Sequence, residues 1–210
     1  MPVLVVYGAT ETAPICVYHR HDIRLARPGS TGRPGLLAEI RIVDSGGSDV
    51  PAGTPGEIWV RGPAMFSHYW NDPAATAEAL DSDGWFHTGD VAERDGNWDI
   101  VVRDRLKNVV ISGGENIYPA ELERVLHGCP LIREAAVVGR PDLKWGEVPV
   151  AVIVPAEGAM LDREAVLALF EGELARYKHP RDVVFVDSLP RNVMGKILHF
   201  ELRKAVAGAS

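Results

Sequence analysis

Five short stretches of this chain carry side chains that could handle a charged ligand. Tyr7-Gly8-Ala9-Thr10-Glu11 closes an apolar run, so a Thr10 hydroxyl and a Glu11 carboxylate stand at a strand's carboxyl end, where α/β sheets place ligands. A carboxylate there can share Mg²⁺ with a nucleotide phosphate; a capped turn with a solvated glutamate is the plainer use. In Trp85-Phe86-His87-Thr88-Gly89-Asp90 the Asp90 carboxylate can accept two hydrogen bonds and so fits a vicinal diol, or it is a surface-turn aspartate. Arg105, within Arg103-Asp104-Arg105-Leu106-Lys107, can bridge ribose and phosphate oxygens with its guanidinium, or belong to a salt-bridged charge run. Lys196 follows Gly195 on a loop flexible enough to swing the ammonium onto a substrate carboxylate and a phosphate, where it would stabilise charge as oxygen attacks phosphorus. Ile111-Ser112-Gly113-Gly114-Glu115-Asn116-Ile117-Tyr118-Pro119 sets a polar Gly-Gly loop between an apolar strand and a Pro-started helix. Glycines there free the backbone to take positive φ and let a ligand pass close to it.

Two look-alikes are set aside. Gly29-Ser30-Thr31-Gly32-Arg33-Pro34-Gly35 resembles a phosphate cradle but lacks the Gly-Lys-Ser/Thr ending of a P-loop, and reads as a turn entering a β subdomain. His87 could be a base, but a lone histidine among aromatic residues reads as a packed one.

These groups need elements to hold them. The chain has 210 residues, 46% hydrophobic and 24% charged, enough for one or two globular domains. Its formal net charge of -7 argues against a nucleic-acid surface, which would show a basic patch. Cys16 and Cys129 have no metal-ligand spacing and read as reduced, partly buried thiols of a cytoplasmic protein. No apolar run reaches the length of a membrane span, and Met1 to Tyr7 lacks the basic region and cleavage site of a signal peptide.

Val3 to Tyr7 reads as a buried strand; residues 12 to 35 read as irregular. Alternation predicts antiparallel strands over Glu39 to Asp44 and Gly56 to Arg61, and a further strand over Trp98 to Val102. Asp72 caps a short helix with Pro73 at its first position. After Arg105, strands are predicted over Asn108 to Ser112, Ala135 to Val138, Val148 to Val154 and Val183 to Val186. Helices are predicted over Pro119 to His127, Asp162 to Ala175 and Leu198 to Val206. The expected class is α/β and α+β. Residues 1–104 form the β-rich end of a larger domain, 105–107 a hinge and 108–210 a compact α+β domain.

The motifs in this order resemble the acyl- or aryl-CoA synthetase branch of the adenylate-forming, AMP-binding enzymes, from Val3 to about Ala205. The resemblance implies an AMP-forming acid–thiol ligase. Such an enzyme joins a carboxylic acid, here expected to be a fatty acid, to AMP with release of pyrophosphate, then passes the acyl group to CoA. It also implies ATP/AMP, Mg²⁺ and coenzyme A as ligands. The implied catalytic set is Lys196 for adenylation, Thr10 for phosphate contact and Glu11, also the metal ligand. Tyr7, Gly8, Asp90 and Arg105 are implied for the nucleotide, Gly113 and Gly114 for the pantetheine path, Trp145, within Trp145-Gly146-Glu147, as a further cofactor-binding residue, and Lys107 for the hinge of a mobile C-terminal domain. Asn108, where the family often has Asp, and Asp99, where an aromatic is common, depart from the pattern.

The family's N-terminal phosphate loop and most of its acyl pocket are not among these residues, so the chain is expected to be part of such an enzyme and inactive without the missing N-terminal region. Two other readings remain open at this stage. One is an adenylation domain serving a carrier protein, which the Ser-Gly-Gly-Glu-Asn-Ile-Tyr-Pro loop disfavours. The other is a non-catalytic module that binds nucleotide or a partner chain.

Overall fold

The computed structural model describes residues 4–13, 15–19 and 29–208. The chain divides into two compact units, Met1–Leu106 and Lys107–Ser210. The junction falls inside a single 3₁₀ turn, Leu106–Asn108.

The first unit is built on two antiparallel sheets. β1 (Val6–Tyr7), β2 (Val17–Tyr18) and β3 (Arg33–Pro34) form a small one. β4 (Glu39–Val43), β5 (Gly56–Arg61), β6 (Phe86–Arg94) and β7 (Ile100–Arg105) form a four-stranded meander in sequence order. Alternation explains β4 and β5: Ile40, Ile42, Ile58 and Val60 face one core with Val17, Ala92 and Ile100, while Glu39, Arg41, Trp59 and Arg61 turn away. α1 (Pro73–Ala79) begins as its sequence suggests, with Pro73 at its first position and the Asp72 carboxylate accepting Ala75 N–H at 2.9 Å.

The second unit is a five-stranded mixed sheet with helices on both faces. Its elements are β8 (Val110–Ser112), β9 (Glu115–Ile117), α2 (Pro119–His127), β10 (Ile132–Asp142), β11 (Gly146–Pro155), α3 (Arg163–Ala168), β12 (Asp182–Phe185) and α4 (His199–Ala207). The order is β10-β11-β8-β9, with β12 joining β11 in parallel. β11 reads Val-Pro-Val-Ala-Val-Ile-Val because both of its faces are covered. Ala151 and Ile153 pack with Leu122 and Leu126 of α2 and with Val166 and Phe170. Val150, Val152 and Val154 point the other way, onto Leu189 and onto Leu202 and Val206 of α4. Leu122 and Leu126, four apart, share one helix face.

Several sequence expectations need correction. Val3 lies outside the described residues, and the first strand is only Val6–Tyr7. Residues 12 to 35 are not wholly irregular, since β2 and β3 fall among them. The Trp98 to Val102 strand starts later and runs to Arg105, because Trp98 takes φ 64 in the turn before it. The strand placed at Asn108 starts at Val110, the turn occupying Asn108. The α3 helix ends at Ala168 rather than Ala175. Its hydrogen bonds tighten to the i→i+3 kind from Leu169 onward, Phe170 turns fully into the core, and Gly172 at φ 79 breaks the spiral. Both cysteines are free, Cys16 buried and Cys129 half-buried. Among the described residues no helix is long and apolar enough to cross a membrane.

Candidate functional site

Asp90 reaches its position through a bulge. Glu57 pairs with Val91 and Trp59 with His87, so Thr88, Gly89 and Asp90 of β6 face only Ile58 of β5. Such bulges re-aim a side chain at a sheet's rim. Three contacts fasten this one to β5. The Thr88 hydroxyl donates to the Ile58 carbonyl at 2.8 Å, Gly89 N–H donates to Glu57 Oε1 at 2.9 Å, and the Trp59 ring stacks on His87 at 3.9 Å. His87 is thus a packed ring, 3.5 Å from Asp81.

The bulge brings Asp90 to two partners. The Tyr7 hydroxyl donates to Asp90 Oδ2 at 2.8 Å, and Arg105, paired with Asp90 across β6 and β7, sets its Nε 3.4 Å from Oδ1. Burial raises the Asp90 carboxyl above the usual carboxylate range, with the Tyr7 hydrogen bond and Arg105 pulling against it. Burial, then the Asp90 charge, pushes the Tyr7 phenol far up, so Tyr7 remains a donor at every ordinary pH. A carboxylate has about four acceptor positions, so two further hydroxyls fit on Asp90.

Thr10 and Glu11 lie on a 3₁₀ turn, Thr10–Thr12, that opens two residues after Gly8. Thr12 Oγ closes this turn on Ala9, accepting its N–H at 2.8 Å and donating to its carbonyl at 2.9 Å. Ala13 ends it at φ 52, a left-handed conformation that costs energy in a residue with a side chain. Glu11 Oε1 accepts the Tyr69 hydroxyl at 2.9 Å; burial and this carboxylate push the Tyr69 phenol up to about 12. α1 is what holds Tyr69: its Thr76 hydroxyl accepts Tyr69 N–H at 2.9 Å. The described residues hold no cluster of three or more His, Cys, Asp or Glu suited to a metal.

The second unit carries the remaining residues. Gly113 and Gly114, at φ 62 and 87, form the turn of the β8–β9 hairpin. The sequence suggested an open loop here; β9 was missed because polar Glu115 and Asn116 fill two of its three positions. A Cβ on Gly113 would lie 2.8 Å from Trp145 Cε3, and Gly113 N–H donates to the Trp145 carbonyl at 2.8 Å, so loop and indole fit only with glycine present. Asp142 Oδ1 shapes the Trp145 turn by accepting Lys144 and Trp145 N–H, each at 2.9 Å. Arg203 of α4 donates to Glu147 Oε1 at 3.0 Å and to the Asn108 carbonyl at 3.1 Å, anchoring the chain just after the exposed Lys107. Lys196 is exposed on the hairpin after β12.

The structure therefore gathers Tyr7, Asp90 and Arg105 into one cluster, sets Glu11 against Tyr69, and joins Gly113 to Trp145. The AMP-binding enzyme model matches residues 1–70, and the AMP-binding enzyme C-terminal domain model matches 121–196. The chain belongs to the AMP-binding enzyme family. It is 50% identical over 207 residues to an indoleacetate–CoA ligase of Aromatoleum aromaticum, covering 99% of this chain and 40% of that protein. It is 48% identical over 199 residues to a feruloyl-CoA synthase of an Amycolatopsis species, covering 94% and 40%. The o-succinylbenzoate CoA synthetase (MenE) of Bacillus subtilis, solved with its acyl-adenylate intermediate, superposes with a TM-score of 0.90 at 36% identity, over 97% of this chain and 41% of that one. The same enzyme has been solved with ATP and magnesium ion. The chain spans about 40% of the length of the curated relatives it matches. The α/β and α+β architecture expected from the sequence is that of these adenylate-forming enzymes.

Two of the contacts that shape the site have no signal in the sequence. Tyr69 and Glu57 have no local motif, and their partners stand 58 and 32 positions away. Asp99 is buried and takes both Nε and Nη2 of Arg33, at 3.3 and 2.8 Å.

Proposed function

We propose that this chain supplies the nucleotide- and thiol-handling part of an AMP-forming ligase that joins an aromatic carboxylic acid to coenzyme A. The observation that carries this reading is the Tyr7–Asp90–Arg105 cluster, a half-buried carboxylate with acceptor capacity to spare beside an exposed guanidinium. Asp90 takes the ribose hydroxyls and Arg105 steadies ribose or phosphate oxygens. Thr10 and Glu11 meet phosphate and its Mg²⁺, with Tyr7 and Gly8 alongside.

In the first half-reaction a carboxylate oxygen of the acid attacks the α-phosphorus of ATP, and the bond to pyrophosphate breaks. Lys196 stabilises the charge that builds on the phosphoryl oxygens. In the second, the CoA sulfur attacks the acyl carbon and AMP leaves; the Gly113-Gly114 turn and Trp145 line the approach of the pantetheine arm. Lys107, at the junction of the two units, is the hinge that lets one centre serve both steps.

Aromatic acids fit better than the fatty acid expected from the sequence, since the names of the relatives carry indoleacetate, ferulate and succinylbenzoate. The coverage of those relatives supports a role for an N-terminal region of the same enzyme as partner.

The test joins this chain behind the N-terminal region of the indoleacetate–CoA ligase relative. Acid-dependent ATP–pyrophosphate exchange is then measured with aromatic and long-chain acids, and thioester with free CoA against a carrier protein. Exchange and CoA thioester with aromatic acids are expected. A folded protein that exchanges with neither class, or that acylates only the carrier, would refute the proposal.

A further inference from the structure

The loop that bears Lys196 is not slack, despite the glycine beside it. Arg191 and Ile197 pair as an isolated antiparallel bridge, and Leu198 N–H donates to the Pro190 carbonyl at 2.9 Å. Inside this hairpin Asn192 binds the chain four times. Its N–H donates to the Lys196 carbonyl at 2.9 Å, and its carbonyl accepts Gly195 N–H at 2.9 Å. Its side-chain Oδ1 accepts Met194 N–H at 3.0 Å and Lys196 N–H at 2.9 Å. Both backbone groups of Lys196 are therefore held by one residue. Arg191 adds a second fastening: Nη1 donates to the Gly195 carbonyl at 2.6 Å, while Nη2 pairs with Glu134 on β10. Gly195 takes φ 79, which lets the turn close.

We infer that Asn192 and Arg191 are positioning residues that hold Lys196 in one orientation on the second unit. The lysine then reaches the reacting phosphate by where that unit stands, not by bending of its loop. Side-chain oxygens that accept successive backbone N–H groups offer the chain a fixed turn. A group held ready stabilises a transition state without reorganising at the moment of reaction. The four hydrogen bonds of Asn192 go to backbone groups of Met194, Gly195 and Lys196, so it acts through the hairpin that carries the lysine. This inference rests on the role proposed above for Lys196.

The experiment uses the chain with its N-terminal region restored, and follows Asn192→Ala, Asn192→Asp, Arg191→Ala and Lys196→Ala. Each is read by ATP–pyrophosphate exchange, by thioester formation from supplied acyl-AMP, and by a cooperative melt. Displacing the lysine by an ångström or so should lower the exchange rate about 10- to 100-fold in Asn192→Ala and Arg191→Ala. Thioester formation should stay within about 2-fold of the parent, since the lysine acts only in the first step. Asn192→Asp keeps an oxygen for both N–H groups and should recover exchange to within about 3-fold of the parent. Parent-like exchange in both Asn192→Ala and Arg191→Ala, beside a dead Lys196→Ala, would overturn the inference. So would an equal fall of both half-reactions in every loop variant, the pattern of a purely structural role. Undiminished exchange in Lys196→Ala would instead strike the proposed function itself, and this inference with it.

Discussion

The Asp90 centre and the Lys196 loop solve opposite problems. Asp90 is gathered from far-apart segments: β1 brings Tyr7, the β6 bulge brings Asp90 and the end of β7 brings Arg105. Its carboxylate is largely covered and its charge is balanced locally. Lys196 is local and exposed, held by residues four and five positions before it. A group that binds the same ligand throughout a reaction can be built into a permanent, partly buried cluster. A group needed in only one of two steps must be able to leave, so its precision has to come from its own hairpin. The exposed tip at Val193 and Met194 and the fastened base at Arg191 and Asn192 fit that division.

The largest expected effect lies on the exposed side of the comparison. Lys196→Ala should lower ATP–pyrophosphate exchange about 100- to 1000-fold, the range for removing a group that stabilises developing charge. Thioester formation from supplied acyl-AMP should continue. An equal loss of both half-reactions would mean that Lys196 belongs to a shared centre like Asp90, and the comparison would collapse.

On the buried side, Tyr7→Phe removes the donor to Asp90 Oδ2 and keeps the ring. A lost hydrogen bond to a charged group corresponds to about a 10-fold weaker binding of AMP. The sign of the pH effect follows from the causes. Asp90 already sits above the usual carboxylate range because of burial, and the Tyr7 bond, with Arg105, pulls it down. Without that bond the carboxyl climbs further. In the role proposed for it, ionised Asp90 accepts the ribose hydroxyls, so binding should be present above its pKa and lost as pH falls through it. The acid limb of AMP binding should therefore move to higher pH in Tyr7→Phe. An unchanged Kd with an unmoved limb, by titration calorimetry across pH, would separate Tyr7 from the site.

These contrasts also explain what could be read from the chain. Local signals were legible. Pro119, Leu122 and Leu126 predict α2, and Asp72 and Pro73 predict the start of α1. Elements whose identity depends on distant partners were not. β6 carries a three-residue bulge at Thr88 to Asp90, which destroys the alternation that would announce a strand. Tyr69 is tied to Glu11 by the fold alone, with nothing around it in the sequence to say so. Gly195 suggested flexibility, yet its positive φ completes a closed turn, because the deciding contacts come from Asn192 and Arg191. A glycine permits a conformation without saying whether that conformation is held.

The smallest expected effect concerns the scaffold under the second unit. Asp182 stands where β10, α3 and β12 meet, and takes Arg140 at 2.8 Å, Arg163 at 3.3 Å and Val183 N–H at 2.9 Å. Burial raises its pKa, but Arg140, the Val183 N–H and Arg163 more than offset this and hold the carboxyl below its usual range. A depressed pKa means that the folded state favours the ionised form. Its stabilisation is present above the unfolded value of about 3.9 and disappears as pH falls through the folded one. The site is partly open to water, so the contribution is about 1 kcal/mol. Asp182→Asn should therefore lower the Tm by about 4 °C at pH 7, and parent and variant should converge in acid. Exchange and thioester activity should fall together if they change at all, because Asp182 supports the sheet as a whole rather than the Lys196 hairpin. A gap in Tm that persists unchanged to acid would assign the loss to packing instead of charge. A selective loss of exchange would mean that the hairpin takes its orientation from the sheet, and not only from its own two fastenings.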